Sequence, residues 1–385
     1  MATARSGQVS EAPPERPRRP SVLHVLEAVE GGTARHLVDI TRLVDGVQHE
    51  VVVPAERVGG VTDPEAAGAM RAAGARIHLV AMTRTPFSLR NARAIMAVRR
   101  LVSDLRPDIV HGHSTIGGVV ARVAACRAPA ATVYTPNALP PHPAVVRLER
   151  VLGRCTDRFV AVSQSEAEWV ARNRLVPDDR LTVIPNGISL DPQESSTDLR
   201  LRLGVGTAPL VGTVSRLVRQ KGPEDFVRGC ALVARAVPTA HFALIGAGPR
   251  QRQLEREVRR AGIGARFHQI EFLAGASSSL GQLDVFVMTS RFEAGPYTPL
   301  EAMRAGTPVV LTDVTGNRDV VEQGVSGLLV PPGDPSAMAA AIADVLLDRE
   351  LARTLAAAGQ RRLRERFDVL GQARALGALY QELAR

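Results

Sequence analysis

Apolar residues fall in short solid blocks along the chain. Each block is followed by a longer stretch in which they recur every three or four positions. In the first half the blocks are Ser21–Glu27, Glu50–Pro54, Arg76–Val80, Asp108–His113, Ala131–Thr135, Arg158–Val162 and Leu181–Pro185. The periodic stretches run from Gly31 through Val44, over Glu65–Gly74, over Ser88–Leu105 before Arg106-Pro107, over Ile116–Ala125, and onward from Ser165. A block that is apolar throughout, rather than at alternate positions, predicts a strand covered on both faces. Such strands alternating with helices predict a parallel sheet. A polar, turn-rich break follows Asn186-Gly187, and then the alternation resumes. It predicts strands over Pro209–Val214, His241–Ile245, Arg266–Ile270, Asp284–Met288, Pro308–Thr312 and Gly327–Val330. The predicted helices are Pro223–Ala236, Gln251–Ala261, Pro299–Ala305, Ser336–Leu347 and Arg349–Arg364.

The expected architecture is α/β, with two doubly wound Rossmann-like domains of similar size facing a cleft. Residues 1–20 mix Pro, Arg, Glu and Ser and predict a disordered tail. Residues 21–190 make the N-terminal domain, 191–205 a linker, and 206–368 the C-terminal domain. In open α/β sheets, ligands lie outside the carboxyl ends of the strands, so the loops after strands carry the candidate chemistry.

Composition narrows the class. With 45% hydrophobic and 23% charged residues, the 385-residue chain is ordinary globular protein. No run approaches the ~20 apolar residues that a membrane helix needs. Three scattered cysteines, with no CxxC pair, predict neither a disulfide framework nor a zinc cluster, and a reducing cytoplasm is the expected compartment. The net charge of +9 suits nucleic acid, a membrane surface or an anionic ligand, or it reflects an arginine-rich genome. The second explanation fits the counts better: 47 basic residues are arginine and one is lysine. The lone Lys221 therefore stands where arginine was the easy choice. Three tyrosines and one tryptophan leave little for base stacking, so no nucleic-acid partner is expected.

Five loops follow predicted strands. Gly31-Gly32, ahead of Arg35, opens a helix and can admit a phosphate or sugar to the backbone, although it is not GxGxxG. His111-Gly112-His113 places two histidines on one strand face with no third metal ligand evident nearby; contact of His113 with substrate is the expected role, and no metal. Arg216 and Lys221 share a loop whose fork and point charge suit a diphosphate. Gly246 and Gly248 permit a close backbone approach. In Glu293-Ala294-Gly295-Pro296-Tyr297, the Glu293 carboxylate sits in a Gly/Pro loop, with Glu301 in the first turn of the next helix. Charged carboxylates accept from paired sugar hydroxyls.

Glu293 and Glu301, with seven residues between them, form the E-x7-E element of family-4-type retaining glycosyltransferases with the GT-B fold, which the sequence resembles. The likeness extends to SRFEAGPYTPLEAMRAGTPVV from Ser290, GGTARHL from Gly31, DIVHGHS from Asp108, VYTPN from Val133 and VSRLVRQKG from Val214. These segments occur in the family's order over roughly residues 21–365. The resemblance implies a nucleotide-diphospho-sugar donor, with a UDP-sugar favoured over a GDP-sugar, and transfer of a hexose-type sugar with retention. It implies that Arg216 and Lys221 hold the diphosphate and that Glu301 binds the ribose. Glu293 and the backbone of Ala294, Gly295, Pro296 and Tyr297 would hold the sugar and leaving group. Gly32 would approach the phosphate, and His113 the sugar near the reacting carbon. Residues 369–385 would cross back to the first domain as a helix.

Thr135-Pro136-Asn137-Ala138 departs from the family's T-P-H-G, so Asn137 offers no acid or base and counts, with Arg35, as an acceptor-side candidate. Arg216, Lys221 and the helix N-termini of the second domain would take the role of a divalent metal, so no cofactor is expected. Arg90, Arg93, Arg99 and Arg100 on one helix, and Arg147, Arg150, Arg154 and Arg158 on another, suit either a solvated face or peripheral contact with the inner membrane face. The acceptor is accordingly a lipid-linked sugar or a small-molecule core such as an aminocyclitol. The alternatives within the same fold are a nucleotide-sugar epimerase, a phosphorylase and a non-catalytic nucleotide-sugar-binding protein.

Overall fold

The computed structural model describes residues 18–29, 31–54, 64–85, 88–193, 197–273 and 275–385. Most of the expected N-terminal tail, and Glu30 of the first loop, lie outside the described residues. The first half of the chain builds β1 (Ser21–Leu26), α1 (Gly31–Leu43), β2 (Gln48–Val53), α2 (Pro64–Ala72), β3 (Arg76–Leu79), α3 (Leu89–Leu105) and β4 (Ile109–His113). It continues with α4 (Thr115–Ala125), β5 (Ala131–Thr135), α5 (Pro143–Leu152), β6 (Arg158–Ala161), α6 (Gln164–Arg172) and β7 (Leu181–Val183). The second half builds α7 (Leu199–Leu203), β8 (Leu210–Val214), α8 (Pro223–Ala236), β9 (His241–Ile245), α9 (Gln251–Ala261), β10 (Phe267–Ile270) and β11 (Val285–Met288). After these come α10 (Tyr297–Arg304), β12 (Val309–Thr312), α11 (Asn317–Val320), β13 (Leu328–Val330), α12 (Pro335–Leu347), α13 (Arg349–Arg366) and α14 (Val369–Leu383).

Two parallel sheets result. The first runs β3-β2-β1-β4-β5-β6-β7 and the second β10-β9-β8-β11-β12-β13. The strand order reverses between β1 and β4, and again between β8 and β11. Crevices at the carboxyl ends of those strands are where such sheets bind ligands. The solid apolar blocks are the central strands: every residue of β4, β11 and β12 is buried. The edge strand β3 has no buried residue.

The chain crosses between domains twice, side by side. Ile188 N–H donates to Phe367 O at 2.9 Å, and Val369 N–H donates to Ile188 O at 3.1 Å. Gly187 is required there, because a Cβ would sit 2.6 Å from the Asp368 backbone. Beyond the crossing, α14 places Ala373, Leu376, Leu379 and Tyr380 into the first domain's core with Val22, Ile40, Ile109 and Val133.

Several expectations change. Within the stretch expected as linker, Leu199 is fully buried in the second core, and its N–H donates to Gln282 Oε1 at 2.6 Å. Cys126 and Cys155 form a single disulfide where no disulfide framework was expected; α4 and the turn after α5 bring together residues that are 29 apart in sequence. Of the second arginine group, Arg147 and Arg150 lie on α5, but Arg154 is on the turn after it and Arg158 is in β6. Arg99 donates to the carbonyls of Val123 and Ala124, Arg150 to that of Asn173 and Arg158 to that of Asp179. These side chains are engaged with the protein itself. Among the described residues no helix is long and apolar enough to cross a membrane.

Candidate active site

The loop after β8 carries Arg216, then a single turn, Arg219–Lys221, that ends at Gly222. Gly222 has φ 60°, and a Cβ on it would lie 2.4 Å from Thr289 O. The Thr289 hydroxyl is within reach of the carbonyls of Lys221 and Gly222, at 2.9 and 3.0 Å. The turn is thereby fastened to the end of β11, and Lys221 Nζ pairs with Glu293 Oε1. The two residues predicted for diphosphate and for sugar thus meet in one ion pair, largely out of water. Arg216 reaches solvent. Loss of surrounding water and then the neighbouring Arg84 pull its pKa below the ordinary value, while Glu293 acts in the opposite direction. Two guanidinium groups kept close together are what an anionic ligand requires.

Gly246 and Gly248 allow a close approach of two loops to each other. A Cβ on Gly246 would lie 2.0 Å from Ser215 O, and one on Gly248 would lie 2.6 Å from Leu217 O. Leu217 N–H donates to Ala247 O at 2.9 Å. These glycines let the loop after β9 clamp the Arg216 loop, so they act through its position.

Glu301 also differs from expectation. α10 begins at Tyr297, so Glu301 is its fifth residue and lies beyond the first turn. Pro299 sits at the third position, where a missing N–H still costs nothing. The countercharge of Glu301 is therefore Arg35, which reaches over from α1 to Oε1. Burial pushes the Glu301 pKa up, and Arg35 opposes that shift. Arg35 also lies over the Tyr297 ring, 5.1 Å from its centroid. The first turn of α8 holds Glu224 and Asp225, paired with Arg250 and Arg291. The N-terminal turn of α10, in contrast to that of α8, is free of acids.

The domains touch directly here. A Cβ on Gly32 would lie 3.0 Å from the Tyr297 ring, and one on Gly295 would lie 3.0 Å from Asn186 Nδ2 and Val162 O. Asn186 Nδ2 donates to Gly295 O at 2.8 Å, and the Ser165 hydroxyl bonds Asp319. Ala294 is buried beneath Gly316. A cavity of about 1070 Å³ lies elsewhere, between α3, α4 and the C-terminus at the opposite end of the first sheet. The charges, topology and domain contacts make this crevice the candidate site.

His113 ends β4 fully buried, within a group of histidines that the sequence spacing did not disclose. His24 lies opposite His111 in the β1–β4 register, and His24, His111 and His113 can bring ligand atoms within 4.8 Å of one another. This supplies the third ligand that sequence analysis did not find. However, both ring nitrogens of His24 already face His49 and His113. Those of His111 face Tyr380 Oη at 2.7 Å and Thr135 Oγ1 at 2.8 Å. Burial is the first cause of a lowered pKa at each of the five buried histidines, and His36 falls to about 4. His36 and Gln372 of α14 were also missed. The available signal was a histidine in the middle of each apolar block SVLHVLE and DIVHGH.

Asn137 and Ala138 both have positive φ, 55° and 106°, in the loop after β5. Backbone N–H groups of Ala138 and Val162 face the buried Glu166 carboxyl. Burial nonetheless raises its pKa from 4.5 to about 7. The folded protein therefore holds a proton that the unfolded chain releases. The stability this confers is full below about pH 4.5 and is lost as pH rises through 7. In Glu166→Gln that pH dependence disappears. The stability difference between variant and wild type should shift by up to about 3 kcal/mol between pH 4.5 and 8. Urea unfolding at several pH values measures it, and parallel curves for the two proteins would refute the assignment.

Comparison with known proteins bears on this arrangement. Residues 30–192 match the family described as Glycosyltransferase Family 4, and residues 198–362 match Glycosyl transferases group 1. The chain is 36% identical over 231 residues to the 2-deoxystreptamine N-acetyl-D-glucosaminyltransferase of Streptomyces fradiae, a match covering 56% of this chain and 53% of that protein. It is 32% identical to the lipopolysaccharide core biosynthesis mannosyltransferase LpsB of Rhizobium meliloti, covering 61% of this chain and 68% of that one. It therefore spans about half the length of the first relative and two thirds of the second. Among solved structures, the fold is similar to that of HepE from Anabaena in complex with UDP and glucose, at 22% identity and TM-score 0.79, covering 94% of this chain and 100% of that one.

Proposed function

Because this chain belongs to the family 4 glycosyltransferases with the GT-B fold, we propose that it moves a hexose-type sugar from a nucleotide-diphospho-sugar to an acceptor hydroxyl, with retention of configuration. The observation that carries this reading is the Lys221–Glu293 pair, held beside Arg216 at the carboxyl ends of β8 and β11. A UDP-sugar is the donor to try first. The acceptor is a small polyol core such as an aminocyclitol, or a lipid-linked sugar. The similarity to the Streptomyces fradiae enzyme puts the aminocyclitol ahead.

Breaking the bond from the anomeric carbon to phosphate leaves negative charge on the diphosphate. Lys221, Arg216 and the acid-free N-terminus of α10 stabilise that charge as it develops. Glu293 holds Lys221 in place and accepts from hydroxyls of the sugar. Arg35 engages Oε1 of Glu301, and we assign Oε2 to the ribose diol. Acceptor attack from the leaving-group face, with its proton passing to the departing phosphate, needs no nucleophile from the protein. The contacts of Gly32, Arg35 and Asn186 with the second domain exclude water while this happens.

The test is thermal stability against UDP, GDP, TDP and ADP, each with and without EDTA. One nucleotide diphosphate is expected to raise the midpoint, equally with the chelator present. Incubation with the matching nucleotide-sugar should then release the diphosphate. Stabilisation without any turnover would turn the reading toward a binding protein, and no stabilisation by any nucleotide would sink it.

A further inference from the structure

Three buried histidines form a directed chain through the first sheet. His49 Nε2 lies 3.3 Å from Val44 O, His49 Nδ1 lies 3.0 Å from His24 Nε2, and His24 Nδ1 lies 3.0 Å from His113 Nε2. A backbone carbonyl only accepts, so His49 must carry its proton on Nε2. Burial keeps all three rings neutral, with one proton each. His49 Nδ1 is then a lone pair, which requires the proton of His24 on Nε2. By the same step the His113 proton is on Nε2, and His113 Nδ1 is a lone pair. That atom is buried and has no hydrogen-bond partner among the described residues.

A second chain fixes the opposite polarity beside it. Gly187 N–H donates to Gln372 Oε1 at 2.9 Å, which orients the amide so that Nε2 faces His36 Nδ1 at 3.0 Å. His36 therefore accepts on Nδ1 and carries its proton on Nε2. His36 Nε2 is also buried without a partner among the described residues. The rings of His36 and His113 meet edge to face, with centroids 5.7 Å apart. One unused N–H donor and one unused lone pair suit a group that both accepts and donates, and a hydroxyl is that group.

We infer that His49 and His24 are positioning residues: they hold His113 Nδ1 as an acceptor, so that it grips one hydroxyl of a sugar substrate together with the N–H of His36. The hydroxyl belongs to the donor sugar or to the acceptor. This rests on the glycosyl-transfer reading for its ligand, but not for the direction of the chain.

The experiment is ring-nitrogen NMR of the full chain with 15N-labelled histidine. In wild type, His49, His24 and His113 are expected to carry their protons on Nε2. His49→Asn should preserve this, since an amide oxygen can replace Nδ1 as acceptor. His49→Leu should let the proton of His113 distribute between both nitrogens. A proton on His113 Nδ1 in wild type overturns the inference, and so does an unchanged His113 spectrum in His49→Leu. The protein is then titrated with the UDP-sugar that stabilises it best, and separately with 2-deoxystreptamine. A shift of the His113 Nδ1 signal with the first assigns the hydroxyl to the donor, and with the second to the acceptor. If neither moves it, the grip is refuted. Activity supplies an independent reading. His49→Leu should lower kcat/KM about three- to tenfold, the worth of one net hydrogen bond, and His49→Asn should stay near wild type. Equal losses in both variants would reduce His49 to packing. If no UDP-sugar binds or turns over, the glycosyl-transfer reading fails while the spectra still decide the tautomers.

Discussion

Acidification from pH 7 should unfold this protein before about pH 4, with a pH dependence steeper than that of an ordinary globular domain. His24, His36, His49, His111 and His113 are all buried, and each is held below its ordinary pKa with burial as the first cause. The unfolded chain takes up a proton at each near pH 6.5, whereas the folded one does so only at lower pH. Stability therefore rises with pH up to about 6.5 and is lost below it. Each such histidine contributes about 1.4 kcal/mol per pH unit, and Glu166 subtracts about as much over its own range. The net slope is about 5 kcal/mol per unit, set against a total stability of about 5–15 kcal/mol. Ellipticity at 222 nm followed from pH 7.5 to 4 locates the transition, and the midpoint's dependence on urea gives the protons absorbed. Four or so protons per molecule are expected. A midpoint constant from pH 7 to 4.5 would mean that these rings already reach water or carry charge in the folded state.

That prediction could not be made from the sequence, and the reason is instructive. The solid apolar blocks and their spacing disclosed both sheets, because burial on two faces demands continuous apolar runs. Three predicted elements of the second domain, Pro223–Ala236, His241–Ile245 and Gln251–Ala261, and the crossing helix from Val369 lie where the structure has them. What spacing cannot reveal is which strands become neighbours. His24 and His111 are 87 positions apart and become partners only through the β1–β4 register. The buried face of α5 was hidden for a related reason: its Glu149 looks like a surface residue until Arg122 is found 2.7 Å away on α4.

The site divides in the same way. Lys221 was legible as the one lysine in an arginine-rich chain, and Glu293 and Glu301 as a spaced pair of carboxylates. Their pairing was not legible, because Glu293 meets Lys221 across 72 positions and Glu301 meets Arg35 across 266. Gly246 and Gly248 were rightly singled out for a close approach. The partner proves to be the backbone of the neighbouring loop, and one sequence cannot distinguish a glycine facing a ligand from one facing another loop.

Lys221→Ala should cost both activity and stability, and a second substitution should separate the two. In the proposed reaction Lys221 stands opposite the charge that develops on the departing diphosphate, so its removal should lower kcat/KM about 10²–10³-fold, as when one preorganised donor is removed from a transition-state site. It also leaves the Glu293 carboxylate, 7% exposed, without its cation. A buried charge stripped of its partner costs about 1–3 kcal/mol, with Arg216 nearby to limit the loss. In Lys221→Ala/Glu293→Ala that penalty should largely vanish, because no unpaired charge remains. The activity should stay as low or fall further, because neither group is left to act on the donor. The measurements are urea unfolding and steady-state kinetics with the UDP-sugar for both single variants and the double. If the double variant recovered activity along with stability, Lys221 would be a structural partner of Glu293 alone, and the diphosphate would have to be sought beside Arg216 and Arg84. If stability stayed low while Glu293→Ala alone was benign, the turn fastened by Thr289 would depend on Lys221 itself, and the ion pair would be incidental to the fold.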